Sequence, residues 1–429
     1  MQAVFRGCTA KTVARRLLVI YCFSGSPMGA TSTSGHRRSS ITPRVLTAVP
    51  TCDGHDSPIV TINLELARHA VEVIYLGYHR SVRDIVRAAI QEDVRAIGIS
   101  SYNGGHIEFF TDVLRSLRRG GANNIKVFGG GGGTITPKDA CVLKARGVDE
   151  IFFAGTPLQK IIEFVRRRYT RSANGGSVSR NIGYGEDLAI AKRLSVVSHG
   201  TARRSRRGAG SGLSPGPRKI GALGRTRPAS DKAFVVGITG PGGAGKTTLI
   251  DEVVLRFLQA FPRERLAILS HDPGLIGQGA LLGDRATMIY AQHDRIFMRS
   301  LATHGNARGL SRSTPACVQV LKDAGFKYIF LESAGIGQED LPFASRLVDK
   351  QVLVMSPDYG SRLQLQKIVM LERADIVVVN KADLPKARTA ISELEQRLVL
   401  NSRRPRLIPT VAKRHRDPGV DALFEELRL

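Results

Sequence analysis

The densest chemistry in this sequence lies in Phe234–Asp251, FVVGITGPGGAGKTTLID. Gly240–Thr247 fit G-x-x-x-x-G-K-[ST], a pattern whose glycines let successive backbone N–H groups converge on phosphate oxygens. Lys246 is spaced to reach the β and γ oxygens and the Thr247 hydroxyl to ligate Mg²⁺, while Gly243, Ala244, Gly245 and Thr248 complete the expected nucleotide contacts. Three carboxylates follow. Asp272 stands at the end of an apolar strand in Ser270-His271-Asp272-Pro273, Asp284 sits in Gly283-Asp284-Arg285, and Glu332 ends the strand Ile329–Glu332 just before Ser333. Each alone could be a helix cap, but three beside one phosphate loop favour holding Mg²⁺, directly or through water. Asn380-Lys381-Ala382-Asp383 then closes a wholly β-branched strand, Ile376–Val379. The Asp383 carboxylate can accept both guanine N1–H and the exocyclic amine, a fit adenine cannot offer, so GTP is favoured over ATP. Thr410-Val411-Ala412-Lys413 is placed to add a last guanine contact.

A second candidate centre lies far upstream, at Asp53-Gly54-His55. A loop histidine on its own is more often solvated or capping than a ligand. This one follows by two residues an Asp able to accept its other ring N–H, the arrangement that orients a metal-bound imidazole.

The elements that must position these residues are legible in the pattern of apolar residues. Between Arg44 and Tyr169, Val45–Val49, Val71–Leu76, Ala96–Ser101, Ile125–Phe128 and Glu150–Phe153 read as short strands. Helical patterns fall between and after them at about 58–69, 82–92, 106–119, 137–146 and 157–169. Regular βα alternation predicts a doubly wound parallel sheet that binds its ligand beyond the carboxyl ends of the strands. Asp53–Ser57, Ser100–His106, Gly129–Gly133 and Gly155-Thr156 all lie at those ends and converge on one crevice. Residues 231–429 form a second α/β domain around the phosphate loop. Between them, 170–230 has the Gly/Ser/Arg/Pro bias of a basic flexible linker, with one short helix over Glu186–Val197.

Composition limits the remaining possibilities. The formal net charge is +26, but residues 1–44 carry seven Arg/Lys and no acid, and residues 166–230 carry fifteen against Glu186 and Asp187. Those two segments account for 20 of the 26, so solvated basic tails are the default reading and nucleic acid is an unlikely partner. No apolar run approaches a membrane span, and Cys8, Cys22, Cys52, Cys141 and Cys317 show no metal or disulfide spacing, which favours a reduced, cytoplasmic protein. Residues 1–43, Arg/Ser-rich around Leu17–Phe23, fit a disordered extension, an upstream start, or a transit peptide that would make the location mitochondrial.

Asp-Gly-His-Asp at 53–56, Ser100–His106 (SSYNGGH), Val127–Gly133 (VFGGGGG) and Gly147–Thr156 (GVDEIFFAGT), in this order, resemble the cobalamin-binding domain of the acyl-CoA mutases. That resemblance implies a flavodoxin-like domain in which His55 is the lower axial cobalt ligand and Asp53 hydrogen-bonds it. Ser100, Tyr102, Gly130, Gly131 and Thr156 would then line the slot for the cofactor's displaced nucleotide tail. Pro58 takes the usual Gly position and Tyr102 the usual Leu, marks shared with the fused type of mutase. GPGGAGKTT, HDP with GALLGDR, FMRSLAT, ESAGIGQ and NKAD resemble the G-protein chaperones of cobalamin-dependent mutases. That likeness implies a P-loop GTPase in which Thr247, Asp272, Asp284, Glu332 and Ser333 bind Mg²⁺ and Lys246, Thr247 and Glu332 are catalytic. Thr287 stands where those relatives carry a nucleotide-contacting Arg, and the loop Gly274–Gly279 is short.

The order of cobalamin domain, linker and GTPase resembles the N-terminal portion of the fused isobutyryl-CoA mutases, without room before Leu429 for their substrate barrel. The resemblance implies adenosylcobalamin and Mg²⁺ as cofactors and GTP as substrate. It also implies an acyl-CoA mutase substrate-binding subunit as partner, and a homodimer. GTP hydrolysis would gate cofactor loading or protection, with Gln338 as a candidate to orient water. A non-enzymatic cobalamin carrier with a decayed nucleotide site, and a cobalamin-dependent regulator, are the competing readings.

Overall fold

The computed structural model describes residues 42–51, 53–55, 57–170, 185–206, 233–274, 278–335, 342–343, 346–357, 368–399 and 404–428. The extension at 1–41, Cys52, Asp56 and Gln338 lie outside the described residues.

The first domain alternates β1 (Arg44–Ala48), α1 (Ser57–Arg68), β2 (Glu72–Tyr75), α2 (Val82–Gln91), β3 (Ala96–Ser100), α3 (His106–Arg119), β4 (Lys126–Gly131), α4 (Pro137–Arg146), β5 (Glu150–Phe153) and α5 (Leu158–Tyr169). Every strand is parallel to its neighbour, in the order β5-β4-β3-β1-β2, with Leu46 opposite both Ile74 and Ile97. Helices on both faces bury the sheet, so its strands are apolar runs rather than alternating ones. Capping boxes at Ser81/Asp84 and Thr136/Asp139 start α2 and α4.

The stretch expected to be a flexible linker contains α6 (Gly185–Arg206), longer than the short helix its pattern suggested. Its apolar face is divided between two cores: Leu188 joins that of the first domain, while Ile190, Ala191 and Leu194 pack with Ala267, Leu269 and Phe297 of the second. Each buried Leu or Ile contributes about 1.5–3 kcal/mol, enough to hold a helix whose second half is rich in Arg and Ser.

The second domain runs β6 (Phe234–Thr239), α7 (Lys246–Ala260), β7 (Leu266–Asp272), β8 (Ala280–Leu282), α8 (Asp284–Thr287), β9 (Ile296–Ala302), α9 (Thr314–Asp323), β10 (Tyr328–Glu332), β11 (Lys350–Met355), α10 (Ile368–Arg373), β12 (Ile376–Asn380), α11 (Ala387–Val399), β13 (Arg406–Thr410) and α12 (Pro418–Leu427). Its sheet is also parallel throughout, ordered β13-β12-β11-β6-β10-β7-β9. The exception is β8. It leaves this sheet and pairs parallel with β2, as a sixth strand of the first domain. Among the described residues no helix is long and apolar enough to cross a membrane.

Candidate functional site

His55 stands on the loop from β1 to α1, with its ring largely open to solvent. Asp53 beside it is fully buried and accepts hydrogen bonds from His55 N at 2.9 Å, from His55 Nδ1 at 2.8 Å and from the Tyr102 backbone N–H. Burial pushes the Asp53 carboxyl up, but those N–H groups outweigh it and hold the carboxyl below its usual range. An ionised Asp53 keeps the proton on Nδ1, which leaves the Nε2 lone pair for a metal.

Tyr102, whose backbone N–H bonds Asp53, is part of the wall of a cavity of about 480 Å³ that is also lined by Thr47 and Ser100, by Gly129–Gly132 and by Phe152–Thr156. Its wall holds two features that suit a large ligand. A Cβ on Gly131 would lie 1.9 Å from Ser101 O, so the backbone of β4 approaches as only glycine permits. Thr47 Oγ1 is buried without a hydrogen-bond partner among the described residues. The cavity also takes in Pro58, and the Tyr102 ring lies over Gly132 with its centroid 5.4 Å from that of His55. The structure thus brings Asp53, His55, Ser100, Tyr102, Gly130, Gly131 and Thr156 to one crevice at the carboxyl ends of the strands. These groups fit a flat cofactor with a histidine-ligated metal and a long tail.

In the second domain the turn after β6 leads into the N-terminus of α7, so the positive end of that helix faces the phosphate loop. Lys246 Nζ is buried and donates to Gly240 O at 3.0 Å and Pro241 O at 3.3 Å. Thr247 Oγ1 donates to Glu332 Oε1 at 2.7 Å and lies 3.5 Å from Asp284 Oδ1. Ser270 was not among the expected site residues, yet its hydroxyl contacts Asp284 and, at 3.0 Å, Glu332 Oε2. Its position at the end of β7, two residues before Asp272, is the signal that could have found it. Asp272 Oδ2 accepts from Gly283 N at 3.1 Å.

Burial, then the neighbouring acids Asp284 and Glu332, push Asp272 well above its usual value; burial does the same to Asp284. Burial and then Asp284 push Glu332 up to about 8. Burial also lowers Lys246. Three dry carboxylates with one nearby ammonium are short of positive charge, and hard oxygen donors of this kind suit Mg²⁺. Among the described residues no three of His, Cys, Asp and Glu stand close enough to chelate as they are, and the Thr247 and Ser270 hydroxyls are interposed. Ser333, next to Glu332, is buried, and its hydroxyl donates to Thr239 Oγ1 at 2.7 Å.

At the far end of the loop Asn380 is a rivet rather than an open contact. Its Nδ2 donates to Ala244 O at 2.9 Å, and its Oδ1 accepts from Ala412 N at 3.1 Å and Thr410 Oγ1 at 3.2 Å. Lys381 adopts a left-handed backbone, and Ala382 N donates to Thr410 O at 3.0 Å. Asp383 is held by an ion pair with Lys413, which lowers its carboxyl. Thr287 is exposed, with its hydroxyl donating to Asp284 O at 3.0 Å; Gly243 on the loop and Thr248 in the first turn of α7 are also exposed.

The B12 binding domain family matches residues 43–162, and the family described as methylmalonyl Co-A mutase-associated GTPase MeaB matches residues 219–428. Three relatives, each named fused isobutyryl-CoA mutase, are similar to 90% of this chain: 35% identical over 398 residues in Geobacillus kaustophilus, 36% over 404 in Cupriavidus metallidurans and 35% over 399 in Nocardia farcinica. The chain spans about a third of their length, 36%, 35% and 36% respectively. The chain is therefore similar to the fused isobutyryl-CoA mutases over a stretch in which a match to the B12 binding domain family is followed by a match to the family described as methylmalonyl Co-A mutase-associated GTPase MeaB.

Proposed function

We propose that this chain binds adenosylcobalamin with His55 as the lower cobalt ligand and hydrolyses GTP at a Mg²⁺ site on the phosphate loop. It would serve an acyl-CoA mutase of the isobutyryl-CoA or methylmalonyl-CoA type, with GTP hydrolysis gating loading or protection of the cofactor. The substrate barrel would come from another domain or subunit, and the working unit would be a cytoplasmic homodimer. The observation that carries this reading is the Asp53–His55 pair joined through Tyr102 to a glycine-walled cavity, in a chain that also holds the Thr247–Glu332–Asp284 cluster.

In the first site Asp53 keeps the proton on His55 Nδ1 and aims Nε2 outward, while Gly130 and Gly131 leave their part of the cavity wall free of side chains. When bound, the cofactor would supply radical chemistry; the protein's part is to bind and orient it through His55, Asp53 and the glycine-walled cavity. In the second site a water oxygen bonds to the γ phosphorus as the bond to the β–γ bridging oxygen breaks, giving GDP, inorganic phosphate and a proton. Lys246 would leave the carbonyls of Gly240 and Pro241 to neutralise the β and γ oxygens, and the α7 N-terminus would add backbone N–H groups. Thr247, Asp272, Asp284 and Glu332 would hold Mg²⁺, releasing the protons that burial makes them retain.

The test is a spectral titration with adenosylcobalamin alongside a GTP turnover assay. His55→Ala should lose the spectral change of histidine ligation with the fold intact, and Lys246→Ala should lower turnover about 10²–10³-fold. Protein that takes up neither corrinoid nor guanine nucleotide would overturn the proposal.

A further inference from the structure

β8 lies between Asp272 and Asp284, so the segment joining two of the clustered acids is built into the other domain's sheet, with Glu72 opposite Ala280, Val73 opposite Leu281 and Ile74 opposite Leu282. Its entry is tied down there as well. Gly279 N donates to Ala67 O at 2.8 Å, and the backbones approach so closely that a Cβ on Gly279 would stand 1.9 Å from Val71 O.

The exit is held by charge. Arg285, adjacent to Asp284 and fully buried, donates Nε to Glu92 Oε1 at 2.6 Å and Nη2 to Gln91 Oε1 at 2.9 Å. Arg80 Nη2 donates to Ala286 O at 2.9 Å. Glu92, just past the end of α2, is itself fully buried, and it also accepts from Arg44 and from Ser300 N and Oγ at 3.1 and 3.2 Å. A carboxylate with this many donors in a dry interface has one arrangement, and removing either partner strands a buried charge. Asp284, between β8 and Arg285, therefore cannot shift without breaking these pairs or carrying the edge of the B12 domain's sheet with it.

We propose that Glu92, a residue of the B12 binding domain, is a positioning residue for the GTPase: by holding Arg285 it fixes the adjacent Asp284 and so sets the Mg²⁺ affinity of the phosphate-loop site. This rests on the Mg²⁺ reading above and extends it to name the route by which the two domains act on each other. Coupling of this kind is reciprocal, so the Mg²⁺-nucleotide state must change corrinoid affinity by the factor that corrinoid changes metal-nucleotide affinity.

The experiment measures GTP hydrolysis by the full chain against Mg²⁺ concentration, for wild type, Glu92→Gln and Arg80→Met. Glu92→Gln should raise the Mg²⁺ concentration for half-maximal rate by about 5–150-fold, while nucleotide binding in excess EDTA and the rate at saturating Mg²⁺ stay near wild type. A purely structural role would lower all three together. Arg80→Met, which removes only the hold on Ala286, should shift the midpoint in the same direction by less, and it decides the matter if Glu92→Gln does not fold. Folded variants with the wild-type Mg²⁺ curve would overturn the positioning role while leaving the GTPase reading intact; a wild type whose turnover ignores Mg²⁺ would overturn both.

Discussion

Replacing Asp53 tests how much of the corrinoid site is built by one carboxylate. Asp53 accepts from His55 N, His55 Nδ1 and the Tyr102 N–H, so it ties the end of β1 to the end of β3 while fixing the imidazole. Asp53→Ala leaves the imidazole free to rotate and to exchange tautomers. Removing an outer partner of a metal-bound histidine typically costs about 10–100-fold in metal affinity, or about 1.4–2.7 kcal/mol. Equilibrium titration with adenosylcobalamin, followed by the loss of the cofactor's own base from cobalt, reads this as a weaker Kd with a blunted spectral change. His55→Ala should lose at least as much, and Asp53→Ala added to it should lose little more, because Asp53 is argued to act through His55. Asp53→Asn keeps the shape and should fall between. A folded Asp53→Ala protein with the wild-type Kd, or losses that simply add, would refute the reasoning. The sign of the pH effect is also fixed: the folded carboxyl lies below the ordinary 3.8, so Asp53 contributes stability above that pH and loses it as pH falls through the folded value.

Two further outcomes follow from the nucleotide site. Asp383→Asn reverses the donor and acceptor pattern presented to the base, so it should weaken GTP relative to xanthosine triphosphate, read by competition binding; equal loss of both would argue against guanine readout. Burial raises the folded value of Glu332 from 4.5 to about 8, so the native metal-free protein binds more protons than the unfolded chain across that window. The stability that Glu332 contributes should therefore fall as pH rises from about 4.5 to about 8, read as the difference in thermal midpoint between wild type and Glu332→Gln, and Mg²⁺ should abolish that slope while its binding releases protons, measurable by calorimetry in buffers of different ionisation enthalpy.

Much of this was legible in the chain, and what was not has a physical cause. The strands of both sheets are runs such as Val45–Val49 and Ile376–Val379, where burial on two faces demands β-branched residues, and α3 and α4 span the residues their periodicity indicates. The phosphate loop, its acids and the Asp53–His55 pair carry local spacing that chemistry imposes. β8 carried no such signal, because Ala280-Leu281-Leu282 is too short for periodicity and its partner strand lies in the other domain. Glu92 read as the end of an amphipathic helix, since Arg44, Arg285 and Arg299 reach it from remote parts of the sequence. The second half of α6 is diluted by Arg, Ser and Gly, so the pattern suggested a helix only over Glu186–Val197, the stretch that holds the buried Leu188, Ile190 and Leu194.

Because β8 completes the sheet of the first domain, the order of synthesis matters. The ribosome makes β2, ending at Tyr75, roughly 205 residues before Ala280, an interval of about 10–40 s at 5–20 residues per second. Throughout it the nascent domain presents an uncovered strand edge, open to pairing with a neighbouring chain. Final assembly of this half must await translation of the other, and cutting the polypeptide between them would leave that margin bare for good.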